Sequence, residues 1–198
     1  MNTETNTKPQ TVGQYRPHLC FYHANAKGSG GAAKMSLHPA HDDVNGCIML
    51  TVANQMSIGN PTGPNPTFAT FDWENALTVK LDFDDLCLFL QVLRGECESI
   101  NEGKGLYHRA PCGVTNIRFC HYVDPSSGYM LDIYRSSRRG GAEDAHARIL
   151  LSSAEATGIC ESIAGSLYLV SFGIPMLIPH DTSAYRAEAK GVRRAVAA

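Results

Sequence analysis

Hydrophobic and polar residues alternate along this chain with two periods, and the same order of periods occurs twice. Between residues 18 and 81, and again between residues 107 and 151, apolar residues recur at every second position or fill short runs, which is typical of β-strands. Each region is followed by apolar residues three and four positions apart, which is typical of an amphipathic helix. The pattern therefore predicts two β-rich blocks, each closed by one helix.

The first block is predicted to hold four strands and a helix. A proline-rich loop is predicted at 60–66, and a helix at 83–94 with Asp82 as its N-cap and Gly95 after its end. Strands are predicted at 18–25, 47–53 and 68–81, the last in two pieces around Asp72-Trp73-Glu74, and residues 33–38 either continue the first strand or form a second one.

The second block repeats this order with shorter connections. Tyr107-His108 corresponds to Tyr22-His23, and strands are predicted at 116–123, 129–135 and 147–151. Ser152 and Glu155 form the pattern of a capping box before apolar residues at helical spacing. Each block alone would bury too little surface to be stable. We therefore expect one α+β domain at 16–175, in which two antiparallel β-sheets pack together with two helices.

The two ends of the chain differ from this domain. Residues 1–15 are polar and are predicted to be disordered. Residues 176–198 form a basic tail, either a loose extension or a short helix. The N-terminus has no apolar or arginine-rich targeting pattern, and no run approaches the ~20 apolar residues that cross a bilayer. We expect a cytoplasmic protein without membrane contact.

The net charge limits the kind of nucleic-acid site that the chain can carry, and its cysteines indicate the redox compartment. The formal net charge of −2 argues against coating nucleic acid by bulk charge, so any nucleic-acid site must be local and rely partly on stacking. The 7 cysteines show no CxxC pair, which indicates reduced thiols in a cytosol-like compartment.

Several motifs in this order resemble the Whirly family of single-stranded DNA-binding proteins. They are Lys27-Gly28 with Ala32-Ala33, Ile48-Met49-Leu50-Thr51 after Gly46, Asp72-Trp73-Glu74, Tyr107-His108, and Leu151-Ser-Ser-Ala-Glu155. The resemblance implies a duplicated ββββα fold, a homotetramer with helices at its centre, and a role in protecting or annealing strands during replication, recombination or repair. The chain departs from the family's Lys-Gly-Lys-Ala-Ala-Leu motif at Ser29, with Gly30 and Gly31 inserted, and the transit peptide of plant members is absent. We therefore expect a bacterial, phage or plasmid-encoded protein.

A non-specific single-strand binder needs aromatic platforms for bases and cations for phosphates. The rings Trp73, Phe71 and Phe119 are more often core residues than exposed platforms, and strand cations are also common on a solvated face. The candidate rings are Tyr22, Trp73, Tyr107, Tyr122, Tyr129 and Tyr134. The candidate cations are Lys27, Lys34, Lys80, Arg109, Arg118 and Arg135, with Ser36 and His38 on the same open face.

Other chemistries have weaker support in the sequence. His38-x-x-His41-Asp42 and Cys120-His121 do not supply four ligands at a recognised metal spacing. No cysteine lies in a nucleophile elbow, and the glycine-rich bend lacks the Gly-Lys-Ser/Thr of a P-loop. We expect no enzyme and no cofactor. Two alternatives stay open: an RNA-binding or annealing protein of the same fold, and a structural protein-interaction module, which the modest net charge favours.

Overall fold

The structure is a computed structural model that describes residues 18–41, 44–62, 64–110, 113–123, 127–137 and 144–173. The tails predicted at 1–15 and 176–198 lie outside the described residues. Helix α1 spans Phe83–Leu93 and helix α2 spans Ser153–Phe172. The strands are β1 His18–His23, β2 Gly31–His38, β3 Cys47–Ser57, β4 Thr70–Phe71, β5 Leu77–Leu81, β6 Leu106–Ala110, β7 Gly113–Tyr122, β8 Gly128–Ser137 and β9 Ala145–Ser152.

The strands form two antiparallel sheets built on the same plan. Sheet 1 has the order β1-β2-β3-β5, and the short β4 pairs with the far end of β3. Sheet 2 has the order β6-β7-β8-β9. Each sheet is followed in the chain by one helix, so the duplicated ββββα architecture predicted from the sequence is confirmed. The strands β1 and β6, which carry the two Tyr-His pairs, end the two sheets in equivalent positions.

Each sheet has a buried inner face and an open outer face. Successive side chains of a strand point to opposite faces, and β5 shows this directly, with Leu77, Val79 and Leu81 buried and Thr78 and Lys80 exposed between them. The inner faces and the two helices enclose the core. The outer faces are therefore the surfaces on which a ligand of the sheets would lie.

Both helices begin at capping boxes, as the sequence predicts. The Asp82 carboxylate accepts a hydrogen bond from the Asp85 amide, and the Asp85 carboxylate accepts one from the Asp82 amide. Ser152 and Glu155 make the same exchange at the start of α2. Such caps each stabilise a helix by about 1 kcal/mol, so the carboxylates of Asp82, Asp85 and Glu155 have a structural role.

The core is tied together by a stack of three rings from different elements. Phe89 of α1 packs on Phe119 of β7 with ring centroids 4.8 Å apart, and Phe119 packs on Tyr129 of β8 at 5.5 Å. Phe119 is 2 % exposed. The helix of the first block thus packs on the sheet of the second block.

The two blocks also exchange histidine–carboxylate bonds. His23 of β1 lies 2.9 Å from the Glu155 carboxylate of α2, and His108 of β6 lies 3.0 Å from the Asp85 carboxylate of α1. In both cases the histidine follows a tyrosine on an edge strand, and the carboxylate belongs to the capping box of the other block's helix. We call these the crossed histidine pairs. The hydrogen bond that His108 donates to the Asp85 carboxylate raises the pKa of His108 despite the opposing effect of burial.

The sheets meet where β9 crosses the end of β2 and β3. The Asn54 amide donates to the carbonyl of His146 at 2.7 Å, and the backbone N–H of Arg148 donates to the Asn54 side-chain oxygen at 3.4 Å. Beside it, a Cβ on Gly31 would lie 2.1 Å from the Arg148 carbonyl oxygen, so only glycine fits there. The extra glycine of the sequence motif therefore allows the two sheets to approach each other closely.

Candidate nucleic-acid interface

Three aromatic rings lie together on the outer face of sheet 1, and we call Tyr22, Phe71 and Trp73 the aromatic cluster. The Tyr22 ring is 5.6 Å from Phe71 and 6.3 Å from Trp73, the latter in an edge-on arrangement. Tyr22 is 58 % exposed and Trp73 is 37 % exposed. Ala32 and Ala53, which lie across the sheet from Tyr22, are fully buried, as expected if the rings close over two small residues. The cluster therefore exposes aromatic surface to solvent above two buried alanines.

A cation lies against this cluster. The Lys34 ammonium is 5.7 Å from the centre of the Trp73 ring, within the range of a cation–π contact. A hydrogen bond with Cys20, which neighbours Lys34 across the sheet, raises the pKa of the Tyr22 phenol. A tyrosine is neutral near pH 7 even at its ordinary pKa of about 10, so the Tyr22 ring can stack without repelling a phosphate. The cluster and Lys34 together combine π-surfaces with one positive charge.

The turn between β1 and β2 presents Lys27 beside this face. The Asn25 side-chain oxygen accepts from the backbone N–H groups of Lys27 at 3.0 Å and Ser29 at 3.1 Å, which folds the turn around Asn25. The buried Gln55 side chain of β3 accepts from the N–H groups of Asn25 and Gly30. Because these amides are already bonded, the turn is not an anion-binding loop. The exposed Lys27 side chain is what it offers a ligand.

The remaining sheet 1 candidates share the outer face with the cluster. Ser36 lies across the sheet from Met49, and Met49 lies across from Lys80. Lys80 is exposed, while Ser36 and His38 are half-buried on β2. The structure thus brings the sheet 1 candidates of the sequence onto one surface.

The outer face of sheet 2 carries a second row of candidates. Tyr107, Asn116, Tyr134 and His146 follow one another across β6, β7, β8 and β9. Tyr107 is 60 % exposed and Tyr134 is 41 % exposed. The Tyr134 hydroxyl donates to the Asp144 carboxylate, and this bond raises the pKa of Tyr134. Tyr107 is thus the more open of the two rings.

Further rows of the same face hold polar and charged groups. Arg118 of β7 lies across from Asp132 of β8, and Asp132 lies across from Arg148 of β9. Burial alone raises the pKa of Asp132, but hydrogen bonds from Arg148 and His146 outweigh it and lower that pKa below its ordinary value. Asp132 is therefore occupied by these two partners. Arg118 is exposed and has no ion pair within the described residues, and the same holds for Arg109.

The strands are basic although the chain as a whole is slightly acidic. No aspartate or glutamate occurs in the five strands of sheet 1, and Asp132 is the one carboxylate in the four strands of sheet 2, against Arg109, Arg118, Arg135 and Arg148. Six acidic residues lie around α1 and the connection after it, while Asp72 and Glu74 flank Trp73 outside the strands: the six are Asp82, Asp84, Asp85, Glu96, Glu98 and Glu102. The net charge of −2 therefore does not describe the sheet surfaces.

Two of the candidate residues predicted from the sequence, Tyr129 and Arg135, lie on the inner face of sheet 2 and not on its outer face. Tyr129 alternates with Leu131 and Ile133 on the inner face and stacks on Phe119, so its ring belongs to the core side of the sheet. Arg135 is on the same side, where its guanidinium donates to the Thr115 hydroxyl at 3.0 Å and to the Thr78 carbonyl at 2.7 Å. Arg135 thus links the two sheets. Tyr122 lies on the outer face near the end of β7 and is half-buried.

The structure also bears on other kinds of site. The described part of the chain holds no group of three or more His, Cys, Asp or Glu that could hold a metal ion. An open cleft of about 900 Å³ lies beside α1 and the connection 97–105, where Cys97 and Glu98 line it together with Tyr107. No histidine lines this cleft, so it contains no Cys–His pair among the described residues. None of the described helices is both long enough and apolar enough to cross a membrane.

Three site residues were not predicted from the sequence. Phe71 completes the aromatic cluster; it is the last residue of β4, and Trp73 lies two positions after it, outside the strand, so strand alternation does not indicate their shared contact with Tyr22. Arg148 lies on the outer face of sheet 2, and its alternation with Ala147 and Ile149 would have indicated this. Gln55 lies among the last residues of β3, and no local pattern reveals its contacts with the turn.

The fold was compared with known proteins. No family sequence model matches the chain, and no curated protein matches it by sequence. The solved structure of WHY1 from Arabidopsis thaliana is similar with a TM-score of 0.63 at 12 % identity, over 92 % of this chain and 93 % of that one. WHY3 from Arabidopsis thaliana gives 0.61 at 11 % identity, over 91 % and 98 %. The plant transcriptional regulator PBF-2 gives 0.62 at 11 % identity, over 79 % and 83 %. The architecture, the order of elements and these structures agree with the sequence motifs, and the fold of this chain is the Whirly fold.

Proposed function

We propose that this protein binds single-stranded DNA with little sequence preference. Bases stack on the aromatic cluster and on Tyr107, while cations of the outer faces hold the phosphates. The observation that carries the proposal is the aromatic cluster with Lys34 against it, on a sheet whose strands contain no carboxylate.

Stacking supplies affinity without sequence readout. Every base has a π-face, and a stacked base contributes about 1–3 kcal/mol by alanine substitution. A double helix keeps its bases paired and stacked on each other, so exposed rings on a sheet favour a single strand. The exposed cations Lys27, Lys80, Arg109 and Arg118 supply phosphate contacts, which position the strand without reading its bases.

The interaction-module alternative rested on the modest net charge. The distribution of charge weakens that argument, because the nine strands carry several cations and only one carboxylate, Asp132, while six acidic residues lie around α1. A local basic surface is what a phosphate backbone requires.

The single tryptophan of the chain gives a direct test, since Trp73 belongs to the aromatic cluster. Titration with oligo-dT should quench the Trp73 fluorescence, and anisotropy should show binding that weakens with salt and exceeds binding to a duplex of equal length. An RNA of the same length tests the RNA alternative. No binding to oligo-dT at low salt would refute the proposal.

A matched pair of variants tests the role of the rings. Tyr22→Ala should weaken binding to oligo-dT by about 5- to 150-fold, the range of one stacking contact. Phe83→Ala is the control, because Phe83 is also an exposed ring, at 44 %, but lies at the first residue of α1 and not on an outer face of the sheets. Equal losses of affinity in the two variants would show that Tyr22 is not a base platform.

The proposal includes an assembly and a cellular role. The protein acts as a homotetramer with its helices at the centre, and it protects or anneals strands during replication, recombination or repair in a cytoplasmic compartment. The exposed rings of Tyr168 and Phe172 on α2, with centroids 5.3 Å apart, support a contact between helices of different copies. Light scattering should give a mass four times 21.5 kDa, and a monomer mass would contradict the tetramer.

A further inference from the structure

The Gln55 side chain is the centre of a hydrogen-bond network that no sequence motif reveals. Its oxygen accepts from the N–H groups of Asn25 at 2.9 Å and Gly30 at 3.0 Å. Its nitrogen donates to the carbonyls of Asn25 and Ser57, both at 3.0 Å. Gln55 is only 8 % exposed, and each of these hydrogen bonds joins its side-chain amide to a backbone group.

The network joins the Lys27 turn to the strand beside the aromatic cluster. The backbone N–H of Gln55 also donates to the Gly30 carbonyl at 2.8 Å, and Gln55 is paired with Phe71 across β3 and β4. A Cβ on Gly30 would lie 2.1 Å from the His23 carbonyl oxygen and 2.5 Å from the Gln55 side-chain oxygen. Gly30 is therefore required for the amide of Gln55 to reach the turn.

Within the turn, the side chain of Asn25 connects the backbone of Lys27 to Gln55. Asn25 is held at its N–H and its carbonyl by Gln55, and its own side-chain oxygen accepts from the Lys27 and Ser29 amides. The Lys27 backbone is thus fixed relative to β3 through two amide side chains. The Lys27 ammonium itself has no ion pair within the described residues and is exposed.

We propose that Gln55 is a positioning residue for DNA binding, which holds Lys27 as a phosphate contact next to the aromatic cluster. The inference rests on the proposed function. Pre-ordering the turn reduces the conformational entropy that is lost when Lys27 binds a phosphate. A loosened turn would still carry the charge of Lys27, but its contact with the phosphate would be weaker.

The test is a double-mutant cycle on binding of oligo-dT across a salt series. One phosphate contact to a single strand contributes about 0.7 to the slope of log K against log salt, which is about fivefold in affinity between 1 M and 0.1 M salt. Lys27→Gln should lower the slope by this amount. Gln55→Met keeps the length and apolar stem of the side chain but removes its amide, and it should lower the slope by part of the same amount.

The coupling between the Gln55→Met and Lys27→Gln substitutions shows whether Gln55 positions Lys27 or only stabilises the fold. In the Lys27→Gln background, Gln55→Met should change neither the slope nor the affinity further, because the contact that it positions is already gone. A purely structural role would reduce affinity equally in both backgrounds, and this result would overturn the inference. Asn25→Ala provides a second variant in an exposed turn, for which the same coupling to Lys27 is expected.

The outcomes also distinguish this inference from the proposed function. If the unchanged protein binds oligo-dT but Lys27→Gln leaves its salt slope unchanged, Lys27 is not a phosphate contact and the inference fails alone. If the unchanged protein does not bind oligo-dT at low salt, both fail.

Discussion

Replacing His108 tests the crossed histidine pairs, which join each edge strand to the helix of the other block. His108 lies 3.0 Å from the Asp85 carboxylate, with side chains 32 % and 13 % exposed. Hydrogen bonds to charged groups contribute about 1.5–3 kcal/mol, and partial solvent exposure of the histidine reduces this to about 1–2 kcal/mol. We expect His108→Gln to lower the free energy of unfolding by about this amount at pH 6.

The pH dependence gives the sharper signature. The Asp85 bond raises the pKa of His108 in the folded protein above its unfolded value of about 6.5. The stabilisation by the charged pair is therefore fully present below about pH 6.5 and is lost as the pH rises through the folded pKa. Glutamine keeps a neutral donor in place of the imidazole. The difference in unfolding free energy between the protein and His108→Gln should thus shrink from pH 6 to pH 9.

Urea unfolding followed by circular dichroism at pH 6, 7, 8 and 9 measures this difference, with protein concentration held fixed because assembly makes the unfolding free energy depend on concentration. The pairs His23–Glu155 and His146–Asp132 are present in both proteins, so their contributions cancel in the difference. A difference that stays constant over this range would show that the charged pair with Asp85 does not stabilise the fold.

Three further changes have expected outcomes. Phe119→Ala removes the middle ring of the core stack and should lower the unfolding free energy by about 3–5 kcal/mol in urea denaturation, whereas a loss below 1 kcal/mol would contradict its central place. Gly31→Ala places a Cβ against the Arg148 carbonyl and should lower the melting temperature by several degrees, and an unchanged melting temperature would mean that the sheets can move apart freely. Arg118→Gln should lower the salt slope of oligo-dT binding by about 0.7 without changing stability, and an unchanged slope would exclude Arg118 as a phosphate contact.

The order of strands and helices could be predicted because it follows from local patterns. The alternation in β5, the helical spacing after Asp82, and the capping box at Ser152 and Glu155 each involve neighbouring residues. Even the helix boundaries agree closely, since the predicted helix at 83–94 is observed as Phe83–Leu93.

The candidate site could be predicted only in part. Strand alternation, applied strictly, would have placed Tyr129 on the inner face with Leu131 and Ile133, but a tyrosine carries a polar tip and suits either face. The contacts of Gln55 with the turn, and of His23 with Glu155, join residues far apart in the chain. No periodicity records such contacts, because they depend on how the two sheets and helices pack.

The crossed histidine pairs also constrain the order in which the protein can fold during synthesis. His23 and Glu155 are separated by 132 positions, so the first strand of sheet 1 cannot complete its contacts until α2 has left the ribosome. Sheet 1 likewise needs β9 against its Gly31 end. The first block can therefore complete its contacts only after β9 and the start of α2 have been synthesised. Contacts of such long sequence separation are typical of slow folding.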